Sequence, residues 1–178
     1  GRKASKTRPW EGNDPLQPGE GGWEAVSPSG DPWPFEVDPP RTGRLSREGI
    51  ADVVDAFRTA AERARDAGFE VAEVHAAHGY LLHQFLSPVT NDRDDEYGGD
   101  FEGRTRLVRE VTAAVRDAWP DEQPVFVRIS ATDWLPDRDA WTVEQSTRLA
   151  DRLAGLGADL VDVSSGGIAP GSSPEWVG

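Results

Sequence analysis

The chain has 178 residues, 37% of them apolar, and a formal net charge of -13, a composition that fits one ordinary soluble domain. Its 32 Asp and Glu residues outnumber 19 Lys and Arg residues, which argues against nucleic acid as a partner because a polyanionic surface repels phosphates. The sequence has no cysteine, so disulfides, thiolate catalysis and Cys-ligated metal sites are excluded.

The first 46 residues read as one long loop region. From residue 8 to residue 46 the sequence is dense in Pro and Gly and shows neither helical nor strand periodicity. Such a long structureless stretch is usually a functional loop, or a sign that supporting structure is missing. We expect this loop to lie pinned on a surface through three apolar anchors, Trp10, Trp23 and Trp33.

Residues 47–178 show alternating helix and strand patterns. Ser46 is a suitable N-cap, and apolar residues then recur at three- and four-residue spacing until Ala67. In chain order, the sequence predicts a helix from 47 to 67, a strand at 71–75, a short helix after Tyr80, a loop at 91–99, a helix from 101 to before Pro120, a strand at 125–130, a helix at 143–156 and a strand at 159–164.

This alternation defines the fold class. Short apolar strands separated by helices predict an α/β fold with a parallel sheet covered by helices, either a barrel or a doubly wound sheet. Periodicity does not choose between the two. The sequence contains three such strands, whereas a closed eight-stranded barrel needs about 250 residues. A barrel of this kind would therefore be present only in part.

The segment from His75 to Tyr80 carries two imidazoles and a phenol at the carboxyl end of the first predicted strand, the edge where parallel α/β folds bind ligands. Ala76 and Ala77 leave room beside His75 and His78, and a glycine at position 79 lets the backbone turn so that the polar groups converge.

Three interpretations of this segment are open. His75, His78 and His83 could be metal ligands, although no carboxylate stands at a recognisable spacing. The residues could instead satisfy backbone groups at a strand end. In the third interpretation, the two histidines donate hydrogen bonds to an oxygen while Tyr80 supplies a proton, as in a carbonyl-activating site.

The sequence around this segment resembles the signature of the old yellow enzyme family. The resemblance covers His75 to Tyr80, the continuation through residues 81–88, and residues 91–104 with their Asp-Glu-Tyr-Gly-Gly run. The opening residues 1–5 and 8–12 resemble the family's bacterial xenobiotic reductase branch, and a histidine at position 78, where the classical yeast and plant type has Asn, favours the same branch. Two positions depart from the family pattern, which usually has Ser at position 100 and Asn at position 103; Asp100 and Gly103 occupy them and affect local packing.

The resemblance implies a TIM (β/α)8 barrel with FMN at its C-terminal face, in which the three strands are about the fourth to the sixth. It implies NADPH or NADH as the reductant and an enone or nitro compound as the small-molecule substrate. Residues 75–78, including Ala76 and Ala77, would bind the substrate, with His75 and His78 bonded to its oxygen. Tyr80 would protonate the α-carbon after hydride reaches the β-carbon.

Arg128 matches the arginine that lies beside the flavin ring in this family. A permanently charged guanidinium stabilises negative charge on the reduced ring. A salt bridge at a strand end is the alternative, but an arginine within an apolar strand favours the flavin. The small residues Ser164–Gly167 end the last strand at the same face and could admit flavin or substrate, and Lys3 would lie at the rim of the site without a catalytic role.

The resemblance also implies what lies outside these residues: three earlier strands, two later strands and the phosphate-binding turn. We therefore expect the 178 residues alone to bind FMN weakly or not at all and to be inactive. A non-catalytic remnant and a metal-dependent barrel hydrolase remain as alternatives to the ene-reductase. The oligomeric state of the full-length protein stays open, with a homo-oligomer as one alternative.

Composition also bears on location and source. No run approaches the roughly 20 consecutive apolar residues of a membrane helix, and the start lacks the pattern of a secretory signal, so we expect a cytoplasmic protein with no membrane partner. Because the sequence has no methionine, we expect a processed chain or a part of a longer one. Only Lys3 and Lys6 are lysines, and an acidic, lysine-poor chain suits a halophilic source; an Arg-rich coding bias is the alternative.

Overall fold

The computed structural model describes residues 1–12, 14–34 and 41–172. Its strands and α-helices, in chain order, are β1 (Ala25–Ser27), β2 (Thr42–Arg44), α1 (Arg47–Asp66), β3 (Ala72–Ala76), α2 (Leu81–Leu86), α3 (Phe101–Ala118), β4 (Val125–Ser130), α4 (Val143–Ala154) and β5 (Leu160–Ser164). The parallel strands β3, β4 and β5 form one sheet in that order. The predicted parallel sheet with intervening helices is confirmed, with helix and strand ends shifted by no more than two residues.

The two faces of the sheet carry different side chains. Alternate strand residues are buried beneath the helices, where they join a core that includes Val74, Val127, Leu107, Val111 and Leu149. On the opposite face, His75, Arg128 and Asp162 lie at one level of the strand register. Parallel pairing therefore places one polar residue from each strand side by side. Among the described residues, no helix combines the length and the apolar content that crossing a membrane requires.

The prediction that residues 1–46 form only a loop was wrong in one respect. β1 and β2 pair in parallel, with Ala25 opposite Thr42. Each strand has three residues, too few for a period of two to be visible in the sequence. Trp10 and Trp23 are 78% and 57% exposed and do not anchor the region, whereas Trp33 is half-buried.

Polar contacts hold this region in place instead. The side chain of Ser29 donates to the carbonyl oxygen of Thr90 at 3.0 Å. The buried guanidinium of Arg93 donates to the carbonyl oxygens of Pro28 and Leu45 at 2.9 and 2.7 Å. Because backbone carbonyls need partners wherever water is excluded, these bonds hold the chain directly after β1 and directly before α1.

The two departures from the family pattern are accommodated at the start of α3. Asp100 is the N-cap of this helix, and its Oδ1 accepts from the N–H of Gly103 at 2.9 Å. A Cβ atom at position 103 would lie 2.0 Å from the carbonyl oxygen of Gly98, so the glycine permits a close approach of the two backbones.

Arg93 also binds the loop that precedes α3. Its Nε and Nη2 donate to Oδ1 and Oδ2 of Asp95 at 2.9 and 2.5 Å, a bidentate pair. This hydrogen bonding is the main cause that lowers the pKa of the Asp95 carboxyl. Since Tyr97 N also donates to Asp95 Oδ1 at 3.1 Å, the carboxylate binds both an arginine and the backbone.

We expect Arg93→Lys to lower the free energy of unfolding by about 1–3 kcal/mol, because a lysine ammonium cannot reproduce the planar fork and leaves buried acceptors unpaired. Urea denaturation measures the change. Arg58→Lys, at an exposed position on α1, is the matched control and should stay within about 0.5 kcal/mol of the wild type. Equal stability of the Arg93 variant and the control would contradict the role given to Arg93.

Candidate active site

A tight turn between β3 and α2 presents the candidate site. His78 and Gly79 both adopt positive φ, at 56° and 69°. A Cβ at position 79 would lie 2.0 Å from the carbonyl oxygen of Gly167, so glycine is required there. The N–H of His78 donates to Ser130 Oγ at 2.9 Å, which fixes the turn to the end of β4.

The structure brings the three predicted catalytic side chains together. The rings of His75 and His78 are 5.2 Å apart between centroids and nearly perpendicular, at 89°. The rings of His75 and Tyr80 are 5.3 Å apart, at 76°. Tyr80 is 42% exposed, so its phenol is accessible from solvent. Two imidazoles and one phenol therefore lie together just beyond the carboxyl end of β3.

Hydrogen bonds orient both imidazoles. The N–H of Ala77 donates to Nδ1 of His75 at 3.1 Å, so this nitrogen carries no proton and Nε2 of the neutral ring is the donor. His78 Nε2 lies 2.6 Å from Ser164 Oγ. The methyl groups of Ala76 and Ala77 are fully buried, and Ala77 contributes its backbone N–H.

The site disfavours positive charge on both histidines. Burial is the main cause that lowers the pKa of His75, with the nearby charge of Arg128 second. Burial again comes first for His78, whose pKa is also lowered by His75. At a pH above 6.5, the ordinary pKa of histidine, each ring is therefore neutral and can donate one N–H to an oxygen.

Arg128 lies on the open face of the sheet, in the central strand. Its Nε atom lies 3.2 Å from Asp162 Oδ2, so the two side chains form an ion pair. The Nε atom is buried and makes no hydrogen bond of acceptable geometry. The sequence had not singled out Asp162. Asp162 is a single carboxylate within the otherwise apolar strand β5, just as Arg128 is a single charged residue within β4. This pattern could have identified Asp162 in the sequence.

Lys3 connects the opening segment to the turn. Its ammonium donates to the carbonyl oxygen of His78 and, at 2.9 Å, to that of Gly167. It also lies 4.8 Å from the ring centroid of Tyr80 and 4.9 Å from that of Trp33, distances of cation–π contacts. Burial is the main cause that lowers the pKa of Lys3 to about 8. The sequence placed Lys3 at the rim, and the structure adds that it holds the turn.

His83 does not join the other two histidines. Its Nδ1 accepts from the N–H of Gly79 at 2.8 Å, and its Nε2 lies 3.0 Å from Asp133 Oδ1. A metal site formed by His75, His78 and His83 is therefore contradicted, because both nitrogens of His83 have other partners. In the part of the chain that the structure describes, no group of three His, Asp or Glu side chains could hold a metal ion.

The chain is similar to flavin-dependent oxidoreductases. Residues 26–175 match the model of the NADH:flavin oxidoreductase / NADH oxidase family. The chain is 48% identical to an NADH:flavin oxidoreductase of Gibberella zeae, over 97% of this chain and 44% of that protein. It is 46% identical to an NADPH dehydrogenase of Geobacillus thermodenitrificans, over 83% of this chain and 42% of that protein.

Two solved structures show the same likeness in three dimensions. An old yellow enzyme homologue from Zymomonas mobilis superposes with a TM-score of 0.69 and 26% identity, over 83% of this chain and 44% of that one. Morphinone reductase in complex with tetrahydroNAD superposes with a TM-score of 0.69 and 30% identity, over 92% and 46%. The chain thus spans less than half the length of each of these four proteins.

We expect His75 and His78 to titrate with midpoints below 6.5 in an NMR pH titration of their ring nitrogens. Because the folded pKa is lower than the unfolded one, these groups stabilise the fold above the unfolded pKa, and this contribution is lost as the pH falls through the folded pKa. A midpoint at or above 6.5 for either ring would contradict the neutral donors described here.

Proposed function

Because the chain belongs to the NADH:flavin oxidoreductase / NADH oxidase family, we propose that it forms the substrate-activating part of an FMN-dependent ene-reductase. The proposed enzyme uses NADPH or NADH to reduce the C=C bond of α,β-unsaturated carbonyl or nitro compounds. The resemblance to the old yellow enzyme family is confirmed by these relatives, and the fold by superposition on the barrel enzymes of that family.

The convergence of His75, His78 and Tyr80 is the observation that carries this proposal. When hydride adds to the β-carbon of an enone, negative charge develops on the carbonyl oxygen and the α-carbon needs a proton. Neutral imidazoles meet the first need, because their N–H groups donate to the oxygen and stabilise the developing charge. An exposed phenol beside them meets the second.

The backbone of residues 75–78 supports the same assignment. Since Ala77 N–H holds Nδ1 of His75, the remaining ring N–H is free to bind substrate. The buried side chains of Ala76 and Ala77 leave the space in front of the imidazoles to the substrate. Residues 75–78 are thus the proposed substrate-binding segment, and Tyr80 is the proposed proton donor.

FMN fits the residues that are present. Arg128 has a buried Nε without a well-formed hydrogen bond, on the same sheet face as His75. Its guanidinium would hold the polar edge of the flavin ring, since a permanent positive charge suits an electron-rich ring. FMN, when bound, accepts electrons from the nicotinamide and supplies the hydride. Arg128 lies 3.2 Å from Asp162, which would orient the guanidinium.

The relatives support a nicotinamide reductant for the proposed enzyme. Several are named NADPH dehydrogenase, and morphinone reductase was solved with tetrahydroNAD. We propose that nicotinamide and alkene use the same open face in turn, the nicotinamide leaving before the alkene binds. His75 and His78 would then donate to whichever oxygen occupies the site.

We expect Tyr80→Phe to slow alkene reduction by about 10²- to 10⁴-fold, because the proton donor is lost, while reduction of the flavin by NADPH stays near the wild-type rate. Stopped-flow absorbance of the full-length protein separates the two half-reactions. Tyr97→Phe is the matched control, because Tyr97 is the only other tyrosine of the chain and its hydroxyl donates to Glu110 at 3.0 Å. A wild-type rate of alkene reduction in Tyr80→Phe would contradict the proposal.

A further inference from the structure

A buried polar network lies behind the turn that carries His78 and Tyr80. His83 and Asp133 have fully buried side chains, and His83 Nε2 is 3.0 Å from Asp133 Oδ1. Asp133 Oδ2 accepts from Ser87 Oγ at 2.6 Å and from the N–H of Trp141 at 2.8 Å. Each of these polar atoms has a hydrogen-bond partner, so the network is fully satisfied within the core.

The network has one tautomer. The N–H of Gly79 donates to His83 Nδ1 at 2.8 Å, and a backbone N–H can only donate. Nδ1 therefore carries no proton, and the proton on Nε2 points to Asp133. Because Asp133 is itself fixed by Ser87 and Trp141, the imidazole cannot turn without losing two hydrogen bonds.

This network reaches the candidate site through a single residue, Gly79. Gly79 stands between His78 and Tyr80, and its carbonyl oxygen accepts from Gln84 Nε2 at 2.6 Å. Its N–H is held by His83, so Gly79 is bound on both sides, with a φ of 69° that most residues rarely adopt.

We propose that His83 and Asp133 are positioning residues that hold His78 and Tyr80 in register with the substrate through the N–H of Gly79. Because it refers to a substrate, this inference rests on the proposed function. Burying a His–Asp pair costs desolvation that apolar side chains of the same volume avoid. His83 Nδ1, the ring nitrogen that does not face Asp133, accepts from the N–H of Gly79, which lies between His78 and Tyr80. A role only in packing does not require this bond.

The pair also couples two loops at the same end of the sheet. Asp133 lies in the connection between β4 and α4, next to Trp134, which has a positive φ of 56° and is 44% exposed. His83 lies on α2, 50 residues earlier in the sequence. The orientation of the loop after β3 therefore depends on the loop after β4.

Two substitutions of His83 separate its two hydrogen bonds. His83→Gln places an amide nitrogen near the position of Nε2, which keeps the bond to Asp133 and removes the acceptor for Gly79. His83→Asn places an oxygen near the position of Nδ1, which keeps that acceptor and removes the bond to Asp133. Both variants alter the same buried site and should lose similar stability.

In the full-length flavoprotein, we expect His83→Gln to slow reoxidation by an enone about 10- to 100-fold, because displacing a reactive group by about 1 Å is sufficient for such a loss. His83→Asn should stay within about threefold of the wild type. A role only in packing would lower the melting temperature of both variants and leave their rates equal, and that outcome would overturn the proposal.

Hydrogen exchange of the Gly79 amide tests its hydrogen bond to His83 without any alkene substrate. We expect protection in the wild type and in His83→Asn, and its loss in His83→Gln. If the wild type does not reduce enones, the proposed function fails, and the exchange data still decide whether His83 holds the turn. Equal protection in all three proteins would overturn the proposal.

Asp133→Asn provides an independent test should His83→Gln fail to fold. The amide keeps the size of the side chain but no longer fixes the proton on Nε2 of His83, so the ring can take the tautomer that cannot accept from Gly79. We expect the same loss of Gly79 protection and of reoxidation rate. If Asp133→Asn keeps both the wild-type protection of the Gly79 amide and the wild-type rate of reoxidation, the proposal is overturned.

Discussion

The left-handed turn at His78 and Gly79 is the constraint on which the rest of the site depends. Two consecutive residues with positive φ reverse the chain between β3 and α2 and bring His75 and Tyr80 to one side. Such a turn is strained for His78 and holds only where the surroundings define it. Ser130 accepts from the N–H of His78, and Lys3 donates to the carbonyl oxygen of His78. His83, Gln84 and Gly167 enclose Gly79.

Electrostatics and geometry act in the same direction at this turn. Burial and neighbouring positive charge lower the pKa values of His75 and His78, which leaves them as neutral donors. Lys3 and Arg128 add positive charge near the place where the proposed reaction develops negative charge. A strongly acidic protein thus places two cations, Lys3 and Arg128, beside the candidate site.

The sequence predicted the long elements and the core of the site, because both rest on local patterns. Apolar residues at helical spacing located α1 and α3, and the spacing of His75, His78 and Tyr80 at a strand end indicated the candidate site, whose three side chains the structure brings together. Contacts distant in sequence were not visible. β1 and β2 pair through three residues each, and His83 meets Asp133 across 50 positions, so neither leaves a periodic signal. The exposure of Trp10 was missed because aromatic character alone does not say which way a side chain lies.

An anaerobic absorbance titration of the full-length protein shows whether it is a flavoprotein that reduces enones. The protein is reduced with NADPH and then mixed with one equivalent of 2-cyclohexenone, while flavin absorbance is followed. We expect a flavin band that bleaches with NADPH and returns with the enone. A protein without a flavin band, or a bleached band that the enone does not restore, would contradict the proposed function.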